Sequence, residues 1–212
     1  MWALIKDNKI EQIYQRPKSL LIGEVRYPSN MFTKYTDAEK AAIGIYSVED
    51  TGTKGDDRFE YTSQATYTWS ASDKKVTTSY TITAKSLVDV NDVDEDGNAV
   101  LDYKGNQRVT LGLKSIAKNQ AKETANYLIK RFNWLVERLA YDSSATIPSA
   151  VGTYVGDIKT DCAAIEAAID AASDMAAFKA LYEDTYNSDG TVNVVARVNR
   201  WSDDYDVKEY VR

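Results

Sequence analysis

The stretch VNDVDEDGNAVLDYKGNQ, residues 90–107, lies where the chain changes its period. Before it, Phe59 and Tyr61, Tyr67 and Trp69, then Val76, Thr78, Tyr80 and Ile82 alternate with their neighbours. Period two predicts strands with one packed face and one solvated face. After it, Leu113, Ile116, Ala121, Ala125, Leu128, Phe132, Leu135 and Leu139 follow mostly three- and four-residue steps. That spacing predicts one long helix from about 110 to 141. The predicted fold class is therefore α+β. An antiparallel β-rich N-terminal part (1–89) carries one short helix. An acidic double-turn connector (90–109) leads to a three-helix unit (110–185), and 186–212 forms an extended C-terminal arm.

Within the stretch, Asp92, Asp94, Asp96 and Gly97 match the first half of a calcium loop. Position 12 of such a loop requires a bidentate Glu, and here it is Tyr103; Asp102 falls one residue early. A second pattern uses the same residues. DEDGNAVL (94–101) and DYKGNQRV (102–109) align as a repeat of eight, with Gly-Asn marking a turn in each copy. Two readings follow: a pair of turns, or a calcium site built from Asp92, Asp94, Asp96 and Asp102.

Outward from there, Asp7-Asn8 predicts a tight turn between strands at 2–6 and 9–14, and Gly23-Glu24 a second strand pair. Thr36 with Glu39 forms a capping box, and Gly44 suits the left-handed end of that short helix. Beyond Pro148, Val151, Val155, Ile158, Cys162, Ile165 and Ile169 step at heptad spacing. They predict a helix packed on the preceding one, or a coiled coil between chains. SDMAAFKALYED predicts a third, shorter helix capped by Ser173 or Asp174. The arm either docks a partner or closes as a strand on the N-terminal sheet. Trp134 (off the main stripe), Val151, Val155, Ile158, Trp201 and Tyr205 are the candidate interface residues.

The 212-residue chain has no histidine, which removes Ser-His and Cys-His catalysis and the commonest transition-metal ligand. No phosphate-loop or dinucleotide fingerprint occurs, and no motif places a nucleophile. A net charge of -6 argues against a general nucleic-acid binder. No apolar run approaches a membrane span, and the N-terminus lacks the apolar core of a signal peptide. The single Cys162 sits among Ala and Ile, as a small buried residue would. No catalytic residue and no cofactor is assigned, calcium standing as the minority option.

WALIKDNKIEQI, IGEVRYPSNMF and AEKAAIGIYSV resemble the opening of small virion and tail-fibre-associated structural proteins of tailed, especially marine, bacteriophages. FNWLVERLAYDSSATIPSAVGTYVGDIK resembles the helical C-terminal part of that group and of fibre-assembly proteins: Trp134 and Arg138 match a W-x-x-x-R helix, Ile147 and Pro148 the turn after it. The resemblance implies a non-enzymatic structural protein, tail- or fibre-associated and acting through oligomeric assembly and adapter contacts. It would be assembled in the host cytoplasm and located in the virion. Its partners would be other virion structural proteins and further copies of itself, a trimer among the options, with no nucleic acid or membrane. The alternatives are a tail-fibre assembly chaperone, and a capsid decoration or calcium-dependent binding module.

Overall fold

Asp7 and Asn8 take positive φ of 50° and 63°, closing the hairpin of β1 (Trp2–Lys6) and β2 (Lys9–Tyr14) as predicted. The computed structural model describes residues 1–211. The chain forms two compact units, Met1–Thr83 and Ala84–Arg212. Both the 90–109 connector and the arm therefore belong to the second unit, and the boundary lies before residue 89.

In the first unit, β3 (Leu20–Ile22) and β4 (Val25–Tyr27) pair around Gly23, whose φ is 62°. The sequence pattern missed a four-residue helix, α1 (Met31–Lys34), that follows Pro28. It drives Met31 and Phe32 into a core with Leu4, Tyr14, Leu20 and Ile45. In α2 (Asp37–Ala42) the expected capping box is present: Thr36 Oγ1 accepts from Glu39 N, and Glu39 Oε2 accepts from Thr36 N at 2.8 Å. Gly44 (φ 80°) then turns the chain close against Ile5, where a Cβ would lie 2.7 Å from the Ile5 carbonyl.

Next come β5 (Ile45–Glu49), β6 (Glu60–Thr62), β7 (Thr66–Ser70), β8 (Lys75–Ser79) and β9 (Ile82–Ala84). The main sheet has the order β2-β1-β5-β8-β7, while β6 and β9 pair separately. One pairing departs from the antiparallel expectation: β5 and β8 run parallel, Val48 opposite Val76. Period two fixes which face is buried, not strand direction. Val76 and Thr78 are buried, and Trp69 packs at a tilt against Tyr46, ring centroids 4.5 Å apart. The packed face stops there, because Tyr61 and Ile82 on β6 and β9 are exposed.

In the second unit, two-residue strands β10 (Val90–Asn91) and β11 (Val109–Thr110) precede the helices. The single helix predicted over 110–141 is broken. α3 (Leu113–Lys130) and α4 (Asn133–Tyr141) flank Arg131-Phe132. The break lies at two tightened bonds, Phe132 N to Ile129 O and Leu135 N to Phe132 O. It occurs where the packing stripe changes from alanine to the buried Phe132. Neither Pro nor Gly marks it. The stripe itself is Leu113, Ala117, Ala121 and Ala125, with Ile116 and Leu139 exposed instead of buried.

α5 (Ser149–Ala171) packs on α3, as the intramolecular reading predicted. Its buried residues are Val151, Tyr154, Ile158, Cys162, Ile165 and Ile169. Tyr154 takes the seam position expected of Val155, because its ring packs edge-on against Phe132 at 5.6 Å. Each fully buried Ile stabilises this seam by about 2–3 kcal/mol. α6 (Met175–Ala180) is capped by Asp174, whose Oδ1 accepts from Ala177 N.

The strand expected in the arm pairs locally, in a two-stranded sheet of its own. β12 (Thr185–Tyr186) and β13 (Val192–Val194) pair with each other. The remainder lies along the helices through Ser202 N on Asp161, Arg131 on Asp204 at 2.6 Å, and Trp134 Nε1 on Tyr210 O at 2.8 Å. Val207 is buried there at 1% exposure.

Candidate functional site

No residue from 84 through 111 is buried. The segment is ordered by backbone hydrogen bonds and by side chains turned back on the backbone. Asp94 Oδ1 accepts from Asp96 N and Asn98 N, and Asp94 Oδ2 from Asn98 Nδ2. Asp102 repeats the arrangement with Lys104 N, Asn106 N and Asn106 Nδ2. Gly97 and Gly105 close the two turns at φ 83° and 84°, which a side chain would disfavour. The eight-residue repeat is thus one turn built twice.

The structure adds a third member to that repeat. Val100 N donates to Asp92 O (3.0 Å), Arg108 N to Val100 O (2.8 Å), and Asp92 N to Arg108 O (2.9 Å). Residues 92, 100 and 108 therefore close a ring of three bonds, eight residues apart. The flanking pairs repeat in the same order: Val93 with Ala99, Leu101 with Gln107, and Val109 with Asn91. Three short edges form a β triangle. Gln107 Nε2 donates to the carbonyl oxygens of Asp92, Val100 and Arg108, at 2.8, 3.3 and 2.9 Å. The two hydrogens of one amide are thereby shared among the three carbonyls of the ring.

The base of the triangle is pinned to α3. Ser86 O and Leu87 O accept from Leu113 N and Lys114 N, which a helix start would otherwise leave unpaired. Asp89 Oδ1 accepts from Gly112 N at 2.7 Å. Gly112 must be glycine, since a Cβ would lie 2.3 Å from the Val88 carbonyl carbon.

Four carboxylates here, those of Asp89, Asp92, Asp94 and Asp102, are committed to structure. The Thr110 hydroxyl (2.6 Å) and the Arg108 guanidinium (2.6 Å) hold the Asp92 carboxyl below its ordinary range. The Asn98 and Asn106 N–H groups do the same for Asp94 and Asp102. Of the candidate calcium ligands, Asp92, Asp94 and Asp102 are thus held in separate duties, while Asp96 gives its backbone N–H to Asp94. Among the described residues no three His, Cys, Asp or Glu side chains are gathered to hold a metal ion.

Three equivalent apolar positions of the triangle are left uncovered. Val93, Leu101 and Val109, one per edge at equivalent positions, are 60%, 56% and 40% exposed. The interface candidates read from the sequence include none of the three. The signal was available as an apolar residue recurring at 93, 101 and 109, but the third copy lacks Gly-Asn because the chain runs on into α3.

The candidate interface residues scatter. Val151 and Ile158 are buried within the chain and have no surface to offer a coiled-coil partner, because α3 already covers their stripe. Val151 also meets Val155, with Phe132, Leu135, Val136 and Ile147, around an apolar cleft of about 220 Å³ at the α3–α4 break. Trp134 and Trp201 are half-buried, and Trp134 is tied to the arm. Tyr205 is exposed, with Lys208 Nζ 4.1 Å from its ring centroid. Cys162 is buried, and burial with the neighbouring Glu166 pushes its thiol up, keeping it protonated. No helix among the described residues is long and apolar enough to cross a membrane.

No protein-family model, no curated protein and no solved structure matches the chain.

Proposed function

We propose that the chain is a non-enzymatic structural component of a tailed-phage particle, associated with the tail or fibre and working by assembly and adapter contacts. The observation that carries the assembly reading is the β triangle. An ordered segment that buries none of its own apolar side chains stabilises the chain little, and uncovered apolar positions mark surfaces that meet another protein. The phage setting rests on the sequence resemblance of residues 2–13, 22–32, 38–48 and 132–159 to virion proteins. Copies of the chain would meet through surfaces other than the α3–α5 seam, whose apolar residues are already covered within one chain.

Mass spectrometry of purified particles tests this reading. The expected result is the intact chain at a fixed ratio to the other virion proteins. Presence in infected cells with absence from the particle would replace it by the assembly-chaperone reading. A native mass of the isolated protein then counts its copies, a stable monomer removing the trimeric-fibre form.

A further inference from the structure

The β triangle is acidic as well as uncovered. Between 89 and 111 lie Asp89, Asp92, Asp94, Glu95, Asp96 and Asp102 against Lys104 and Arg108, six negative and two positive, a net of -4. The whole chain carries -6, so this short segment holds most of the imbalance. We propose that the triangle is a docking head for a different protein chain whose surface is basic and also carries apolar side chains. The proposal rests on the assembly reading above and adds the partner's chemistry.

Val93, Leu101 and Val109 supply the apolar part, one from each edge, and their removal from water favours association. The acids supply steering and choice of partner. Asp94 and Asp102 are already fixed by backbone N–H groups, so little further ordering is lost when the head docks. The same charge selects against other occupants. A second copy meeting this one through the same face would set like charges against each other. Nucleic acid and anionic membrane surfaces repel it too.

The test places the photo-crosslinking residue p-benzoylphenylalanine at Leu101 of the full chain in its native cells. A second variant carries it at Val136, exposed on α4. The expected outcome at Leu101 is an adduct with one defined protein, linked through a segment of net positive charge. Purified, that protein should bind wild type more weakly as salt rises. It should bind a Val93→Lys, Leu101→Lys variant at least about tenfold more weakly. Both substitutions are at exposed positions, so an unchanged melting temperature certifies the fold. Adducts only with copies of this chain, an acidic linked segment, no adduct, or unchanged affinity of the double variant overturns the proposal. Adducts from Val136 alone, with the protein present in particles, leave assembly standing and remove the docking head. Absence from particles and from any complex removes the assembly reading itself.

Discussion

Along the α3–α5 seam, Ile158, Ile165 and Ile169 are each no more than 1% exposed. In the β triangle, a few residues before α3 in the same compact unit, no side chain is buried at all. The seam is held by apolar area and close packing, with alanines on α3 letting α5 approach. Lys118–Asp170 and Lys122–Glu166 lie along its edge as partly exposed pairs of small weight. The triangle is held by directed hydrogen bonds: a ring of three, two Asp-centred turns, and the Gln107 amide. Apolar burial sets how stable this unit is. Hydrogen-bond geometry sets what it holds out to solvent. The two regions should therefore fail under different perturbations.

The largest expected difference comes from deleting side-chain volume in each. Ile158→Ala leaves a cavity in the seam and should cost about 2–5 kcal/mol in urea unfolding. Leu101→Ala removes an exposed side chain and should stay within about 0.5 kcal/mol of wild type. Equal losses from the two substitutions would mean that Leu101 is covered within the chain, and the contrast would collapse.

The parts legible in the sequence were those fixed by local chemistry. Asp7-Asn8, the Thr36–Glu39 box, Gly44 and the repeated Asp-x-x-Gly-Asn turns each act within a few residues, so their patterns suffice. The fold class followed from the change of period across 90–107. What stayed hidden depends on distant partners. Nothing between 113 and 141 marks the break at Arg131-Phe132, because it answers to packing against Tyr154. Nothing in β5 or β8 states that they run parallel. The candidate site was half legible: the repeat was plain, but closure of 92, 100 and 108 into a ring is a tertiary event. The interface candidates failed at Val151 and Ile158 because heptad spacing does not tell a seam within one chain from a seam between two.

A smaller and more local effect is expected at Gln107. Gln107→Ala leaves the Asp92, Val100 and Arg108 carbonyls with their ring bonds but without the shared amide donor. Local opening of the triangle should become about 1 kcal/mol easier, a rise of roughly fivefold in amide exchange at those three residues. The urea midpoint, set by the seam, should not move. A midpoint shift that matches the rise in local exchange would show that the triangle unfolds only with the helices.

The mildest perturbation is acid. Asp92, Asp94 and Asp102 all have carboxyls held below their ordinary range, by Thr110 with Arg108, by Asn98 and by Asn106 respectively. A group depressed in the folded state adds stability that is complete above its unfolded value, about 3.9. That stability is lost as pH falls through the lower folded value. Between neutral pH and about 5, the triangle should therefore hold its exchange protection. Below about 4, protection at Asn98 and Asn106 should decline as Asp94 and Asp102 take up protons and accept less strongly. The seam has no carboxylate among its buried residues, so helical circular dichroism should persist while the turns loosen. Asp94→Asn keeps an acceptor oxygen but removes the titrating group, and should flatten the acid response at Asn98 while leaving that at Asn106. If helix signal and turn protection fall together at one pH in wild type, the two regions titrate as a single structure and the division drawn between them is wrong.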